Sequence, residues 1–445
     1  MMDMKINKVE RIEQETGLMC LDDCIATVAG YYHCDYEMAY VGGFQVRGRT
    51  GMPNFAGQYT IRLQDRYENL KRYHGLQIRR HPFFSGRMAI RWIRRELKGG
   101  HPVLLLQNPY WCPWDDGYQK YDAYPGHTVI VTDVKDGALV CCDPYFEKEN
   151  QRLSFELFHK GVQGLYRTRY VEPEEGECTP EKKRKALDAM YISLCEDGYF
   201  AGLRNFVQDA RVCPDLFYDV FLDEDLWISS LVVFLMQTNQ SIQNIAVVTD
   251  YVGRQCDSKE RISAAESLWN LAVRWKQARK LIVKLYFIRR EDERLKERTL
   301  TRLEDILTEM EKLAEKIPQI QEDEKETGGE KEDKVPEHGE RKTVCVSLAT
   351  HWNNRAFVRE GHPEEGADFS SVGTCYVTSG EEREWTVDGM NFHLAELGKE
   401  PLDNVACDGQ RIAIPRGKYQ KIALIGAAEF GNSSDILQLQ DDERM

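Results

Sequence analysis

Apolar and polar positions first fall into a regular spacing just past residue 19. LDDCIATVAGYY after Cys20 predicts a helix, with Asp22 and Asp23 in its first turn, where the helix dipole favours acids. Two apolar runs follow, HPVLLLQ at 101–107 and HTVIVTDV at 127–134; with KDG and ALVCCD behind them they predict strands and a hairpin. After residue 175 the spacing becomes helical. SKERISAAESLWNLAVRWKQARKLIVKLYFIRR and TLTRLEDILTEMEKLAEKI repeat at three and four, with Leu303, Leu307, Met310, Ala314 and Ile317 on one stripe that Pro318 ends. Such a stripe is more often ordinary core or an intramolecular helix pair than a partner-binding face. From 321 to 342 the chain is charged, poor in apolar residues and broken by Gly-Gly and Pro, as a solvated linker is. Beyond it, TVCVSLAT, TCYVTSG, EWTVDGM, QRIAIP and KIALIGAAEF are short strand-like runs between turn residues, as in a β-sandwich. The expected organisation is an α+β domain over 1–175, a helical domain over 176–320, a linker over 321–342 and a β-sandwich over 343–445.

At 445 residues the chain has room for about two or three domains, each with its own core. No run reaches the roughly 18 to 20 uninterrupted apolar residues that cross a bilayer, so no membrane span is expected. The opening MMDMKINKVERIEQE is charged and lacks an apolar h-region, which predicts a cytoplasmic protein. A net charge of -14 repels phosphate backbones and argues against a nucleic-acid partner. The 13 cysteines are odd in number and scattered, which favours reduced thiols over a disulfide framework. There is no CxxC pair, so structural zinc fits poorly, and no resident cofactor or metal is expected.

Candidate chemistry gathers at a few positions. Gln14 precedes Cys20 by six residues, and Cys20 opens an apolar helix whose N-terminal partial charge favours the nucleophilic thiolate. The Gln14 side-chain amide and the Cys20 backbone N–H can then converge on a tetrahedral oxyanion. An isolated cysteine is otherwise a small buried hydrophobe, so a basic partner has to tell the two readings apart. His127, heading HTVIVTDV, is the candidate, because an imidazole takes the thiol proton and later delivers it to a leaving group. Asp143 ends the returning strand, where it orients the imidazole or, alternatively, merely terminates the strand with Pro144. The hairpin register decides whether they meet. A three-residue loop of Lys135, Asp136 and left-handed Gly137 pairs Val134 with Ala138 and Val129 with Asp143. His127 and Asp143 then share a face on a diagonal of about 7 to 8 Å between Cα atoms. A two-residue turn instead puts them on opposite faces.

Tyr110, Trp111, Trp114, Tyr118, Tyr121 and Tyr124 precede His127, and Tyr145 follows Asp143-Pro144. They are candidate walls for an acyl or aromatic substrate, or local packing in a surface lid. His33, His74, His81 and His101 are scattered and read as structural. The basic runs IRRH at 78–81 and RWIRRELK at 91–98 read as a solvated helix face or as a landing for an acidic carrier protein or its phosphopantetheine phosphate.

These segments resemble a known family. QETGLMCLDDCIATVAGYY, HPVLLL and GHTVIVTDVKDGALVCCDP are similar to the papain-like cysteine fold of bacterial double-glycine leader peptidases. EMAYVGGF at 37–44 and PVLLLQNPYWCPWDDGYQKYDAYPGHTVIV at 102–131 resemble the N-terminal domain of butirosin biosynthesis protein H, whose relatives move an acyl group from a carrier-protein thioester to an amine. The amide-forming transferase of closthioamide biosynthesis uses similar cysteine chemistry. The likeness covers residues 10–170 and continues loosely into the helical domain. It implies a papain-like catalytic domain with Cys20 as nucleophile, His127 as base, Asp143 as orienting group and Gln14 at the oxyanion. It also implies an acyl or peptidyl carrier protein as donor, with phosphopantetheine present only as part of that substrate, and a small amine as acceptor. Leu21 stands where many leader peptidases carry Gly, so transfer fits better than proteolysis. A papain-like peptidase or amidase, in which water replaces the amine, is the rival enzyme; a non-catalytic binding scaffold is the rival outside enzymes. DNVACDGQRIAIPRGKYQKIALIGAAEFGNSSD resembles β-sandwich modules of some bacterial glycan-active enzymes, which carry further strands. An edge left open that way is expected to be covered by another domain or by a second copy in a homo-oligomer.

Overall fold

The computed structural model describes Val9, residues 19–48, 58–83, 85–120, 126–173, 179–213, 229–288 and 293–320, and stretches between 344 and 426. The chain divides into two compact units, Met1–Asp323 and Glu324–Met445. The first is mixed α/β. It runs α1 (Cys20–Tyr31), β1 (Phe44–Gly48), β2 (Tyr59–Leu63), α2 (Arg66–His74), β3 (Leu76–His81), α3 (Gly86–Lys98), β4 (Val103–Gln107), β5 (His127–Lys135), β6 (Ala138–Asp143), β7 (Lys148–Ser154), α4 (Phe155–Gly161) and β8 (Val162–Tyr170). There follow α5 (Pro180–Glu196), α6 (Tyr199–Val212), α7 (Ser230–Gln255), α8 (Lys259–Ile288) and α9 (Glu293–Lys316).

Six strands form one antiparallel sheet in the order β3-β8-β4-β5-β6-β7, while β1 pairs with β2 apart from it. β4 lies inside the sheet, and Val103, Leu104, Leu105 and Gln107 are all buried. A strand covered on both faces has no solvent side to alternate with, which is why VLLL reads as an unbroken apolar run. The edge strand β7, KENQRLS, is mostly polar and exposed, which discourages pairing with another chain.

The β5–β6 hairpin differs from the expected three-residue loop. Its turn is the pair Asp136 and Gly137, both with left-handed φ of 46° and 74°, and Lys135 faces Ala138 across it. Asp-Gly favours this two-residue turn because its twist matches that of the strands. Taken alone, the turn would separate His127 and Asp143. The ladder then slips between Val131 and Asp133, where Thr132 is an extra residue on β5, and pairing resumes as Val131 with Cys141 and Ile130 with Cys142. One step further Val129 stands opposite Asp143, so His127 and Asp143 share a face. A bulge, not a longer loop, supplies the odd residue.

The helices after 175 lie in the same compact unit as the α+β half. One continuous set of buried side chains runs from Cys24, Ile25 and Leu104 to Phe206, Leu235 and Trp275. Polar contacts cross the same boundary: Gln240 Nε2 donates to Asp22 Oδ2 at 3.4 Å, Tyr251 OH to Asp35 Oδ2 at 2.9 Å, and Tyr59 OH to Asp209. α7 shows how the two parts share that core. It buries Leu231, Val232, Leu235, Ile242, Ile245, Val248 and Val252, more of its circumference than one helical neighbour can cover. In α9, Leu303, Leu307, Met310 and Ala314 are buried as the stripe requires, and the chain passes into a 3-10 turn, Ile317–Gln319, around Pro318. Among the described residues no helix is long and apolar enough to cross a membrane.

In the second unit, β9 (Phe357–Arg359) pairs in parallel with β10 (Tyr376–Thr378), and β11 (Glu384–Val387) pairs with antiparallel β12 (Met390–His393). The buried carboxylate of Asp403 accepts the backbone N–H groups of Ala356 and Phe357 at 2.8 and 3.1 Å, tying a distant segment to the start of β9. TCYVTSG and EWTVDGM thus hold strands. The expected strand at TVCVSLAT is absent: residues 344–348 join no ladder, and Val344 and Val346 are exposed, so their alternation has no buried face to anchor it. The described parts of QRIAIP and KIALIGAAEF, 412–415 and 422–426, likewise belong to no strand. The linker 321–342 lies outside the described residues.

Candidate active site

α1 begins at Cys20 itself, with Met19 extended before it. Thr128 holds that helix end with both groups of its backbone. Its N–H donates to Cys20 Sγ at 3.5 Å, and its C=O accepts from Cys24 Sγ at 3.3 Å. Cys20 and Cys24 are one turn apart on one helix face, so both sulfurs reach the same residue of β5. The Cys20 side chain also lies near enough to the preceding residue, His127, to raise its pKa.

His127 is only 5% exposed. Its Nε2 lies 2.7 Å from Asp143 Oδ2, and its ring meets Tyr145 edge-on at 5.8 Å and Phe146 at 5.2 Å. Asp143 is fully buried and held by two further donors: Trp114 Nε1–H to Oδ2 at 2.7 Å and the Phe146 N–H to Oδ1 at 3.3 Å. Burial works against the imidazolium. The hydrogen bonds to Asp143 and Cys20, with their negative charge, outweigh it and push the His127 pKa up to about 10. A protonated imidazole beside a thiol at a helix N-terminus is the setting in which a thiolate is stabilised.

The acids of the first turn are buried, not solvated partners of the helix dipole. Asp22 is fully satisfied: Tyr40 OH donates to Oδ1 at 3.2 Å, Arg66 Nη2 approaches Oδ1 at 3.1 Å, and Gln240 reaches Oδ2. Burial raises its pKa against the opposing effects of Arg66 and Tyr40. Asp23 is 7% exposed, and its Oδ1 has no hydrogen-bond partner among the described residues. Burial first, then the charges of Asp22 and Asp143, push its pKa up to about 7, while His127 pulls the other way.

Cys20, His127 and Asp143 are therefore brought together. Of the aromatic candidates, Trp114 and Tyr145 join them, whereas Tyr110 and Trp111 have other partners. Trp114 serves Asp143, and Tyr145, 46% exposed, borders His127. Tyr110 and Trp111 stack edge-on at 4.8 Å beside α4, with Lys160 Nζ 4.9 Å from the Trp111 ring centre, and the Tyr118 hydroxyl accepts from Gln119. Gln14, Tyr121 and Tyr124 lie outside the described residues. His74 is buried, accepts the Met38 N–H at 3.0 Å and has its pKa pushed down to about 3 by burial and by Lys183. His81 stacks on Trp92 at 4.0 Å, and His101 pairs with the Tyr32 hydroxyl at 3.2 Å. Sequence reasoning missed Thr128, Phe146 and the role of Trp114, none of which carries a local signal. It also passed over Asp23 as a site residue, although three residues after Cys20 is the same helix face.

Residues 342–445 match the family model of the AziU2-like beta-sandwich domain, in keeping with the β-sandwich expected there. The match covers less than a quarter of the chain, and no curated protein matches it.

Proposed function

We propose that this chain is a cysteine-dependent acyltransferase on a papain-like framework, which takes an acyl group from a thioester and forms an amide in bacterial natural-product biosynthesis. The observation that carries the reading is one imidazole, 2.7 Å from a buried carboxylate and one residue before the N–H that reaches a thiol at the start of a helix. The Cys20 thiolate attacks the thioester carbonyl, and the departing thiolate takes a proton from the His127 imidazolium. The imidazole, now neutral, accepts a proton from the attacking amine as the C–S bond to Cys20 breaks and the thiolate re-forms. Asp143 orients the ring throughout. The Cys20 backbone N–H and, on sequence grounds, Gln14 meet the oxyanion. The AziU2-like module supports the biosynthetic setting. Arg87, Arg91, Arg94, Arg95 and Lys98 are all exposed on α3, whose one acid, Glu96, is buried; in a chain of net charge -14 this local positive face suits an acidic acyl or peptidyl carrier protein as donor.

Intact-mass spectrometry after incubation with a panel of acyl thioesters, followed by amines, tests the reading. An acyl adduct on Cys20 that yields amide is the expected result. Release of free acid alone with every amine offered, together with ready cleavage of peptide bonds, would favour the peptidase.

A further inference from the structure

Consecutive aspartates at 22 and 23 have opposite surroundings. Asp22 has three side-chain partners, whereas Asp23 Oδ1 is buried with none among the described residues. A buried acceptor left unpaired is rare in folded proteins and asks for a reason. Asp23 sits three residues after Cys20, on the helix face that carries the sulfur. The titratable groups that face it are Asp22 and Cys24 on its own helix, His127 on β5, Asp143 at the end of β6 and Tyr145 in the turn beyond. Apart from His127 these are acids or neutral groups, with the Arg279 guanidinium beyond Tyr145, and the neighbouring carboxyls of Asp22 and Asp143 favour a cationic visitor.

The chemistry of amide formation leaves a gap there. A primary amine in neutral water is an ammonium ion, and two of its protons must go before it becomes an amide nitrogen. His127 removes one. We infer that Asp23 is the second base of this site, binding an acceptor that arrives as an ammonium ion and taking its first proton. R–NH3+ gives that proton to the Asp23 carboxylate, leaving R–NH2 and the neutral acid. The freed lone pair attacks the acyl carbon, His127 takes the second proton, and the C–S electron pair returns to Cys20 as thiolate. The amide keeps the last proton, and Asp23 later gives its own to solvent. The carboxyl pKa near 7 suits a group that both accepts and releases a proton at neutral pH.

This inference rests on the acyltransferase reading, and the experiment separates the two. The full chain is loaded with acetyl or hexanoyl N-acetylcysteamine thioester and offered glycinamide together with hydroxylamine, which is uncharged at neutral pH and needs to lose only one proton. In Asp23→Asn the ratio of amide to hydroxamate is expected to fall about a hundredfold near pH 7. Raising the pH to about 9.5, where an α-amine is a free base, is expected to restore it. Asp23→Glu, which keeps a carboxylate, is expected to recover part of the ratio. Because both products come from one sample, loss of folded protein cancels. An unchanged ratio in Asp23→Asn overturns the role of Asp23, as does an acyl-enzyme of the unaltered protein that reacts with hydroxylamine but never with glycinamide. Absence of any acyl-enzyme in the unaltered protein instead defeats the acyltransferase reading itself.

Discussion

The backbone N–H of Thr128 points at the Cys20 sulfur from 3.5 Å, one residue from the imidazole that the same thiol meets. Sulfur and imidazole are thus positioned through adjoining residues of β5, and Cys24 repeats the attachment one turn along. Reacting groups held in this way need little further ordering on the way to the transition state.

If Cys20 is the nucleophile, Cys20→Ala abolishes acyl loading, a loss of about a thousandfold or more. Intact mass with peptide mapping checks this. Adduct that persists in the variant would move the chemistry to another of the 13 cysteines.

Asp143→Asn removes the strongest contribution holding the His127 proton. The imidazole pKa is expected to drop from about 10 toward the ordinary value near 6.5, and acyl loading to slow by about 10⁴. Histidine NMR titration reads the first effect and single-turnover loading the second; an unmoved titration would rule out Asp143 as the controlling partner.

Trp114→Phe keeps an aromatic ring, though a smaller one, and deletes the N–H donor to Asp143 Oδ2. Urea unfolding is expected to show a loss of about 1–3 kcal/mol, with slower loading because Asp143 is less well held. Equal stability and rate would return Trp114 to a mere wall of the site.

The His127 pair also makes stability depend on pH. The folded pKa of about 10 lies above the unfolded value of about 6.5, so the pair's contribution is complete below about pH 6.5 and fades as pH rises toward 10. The gap in unfolding free energy between the protein and His127→Gln should narrow across that window. A gap that widens with pH would contradict the raised pKa.

Deleting Thr132 removes the bulge residue and leaves the Asp136-Gly137 turn in place. The ladder then runs unbroken from Asp133–Val140 to Val131–Cys141 and still sets Val129 opposite Asp143, so His127 and Asp143 should stay on one face and loading should persist. Lost loading would show that the local twist of the bulge, and not the pairing alone, sets the site.

Much of this was legible in the chain. The helix opening at Cys20, the strands on either side of Asp136-Gly137 and the buried stripe of α9 follow from spacing alone. The shared face of His127 and Asp143 was also expected, but through a loop length that the structure replaces with a bulge. Thr132 is a β-branched residue in a β-branched run, and nothing in composition marks it as unpaired. Trp114 stands among many aromatics, and only the folded loop selects it for Asp143. The burial of Asp22 and Asp23 depends on residues as distant as Gln240, which local pattern cannot see.

The continuous core of the first unit bears on how such proteins can be recombined. A chimera that transplants only the first 175 residues would carry the sulfur, the imidazole and the carboxylate. It would leave behind Gln240, the partner of Asp22, and the apolar faces of α6 and α7 that complete the core. The smallest interchangeable cassette is the whole of Met1–Asp323, so exchanges of specificity between relatives should succeed at junctions after the last helix and fail at junctions near residue 175.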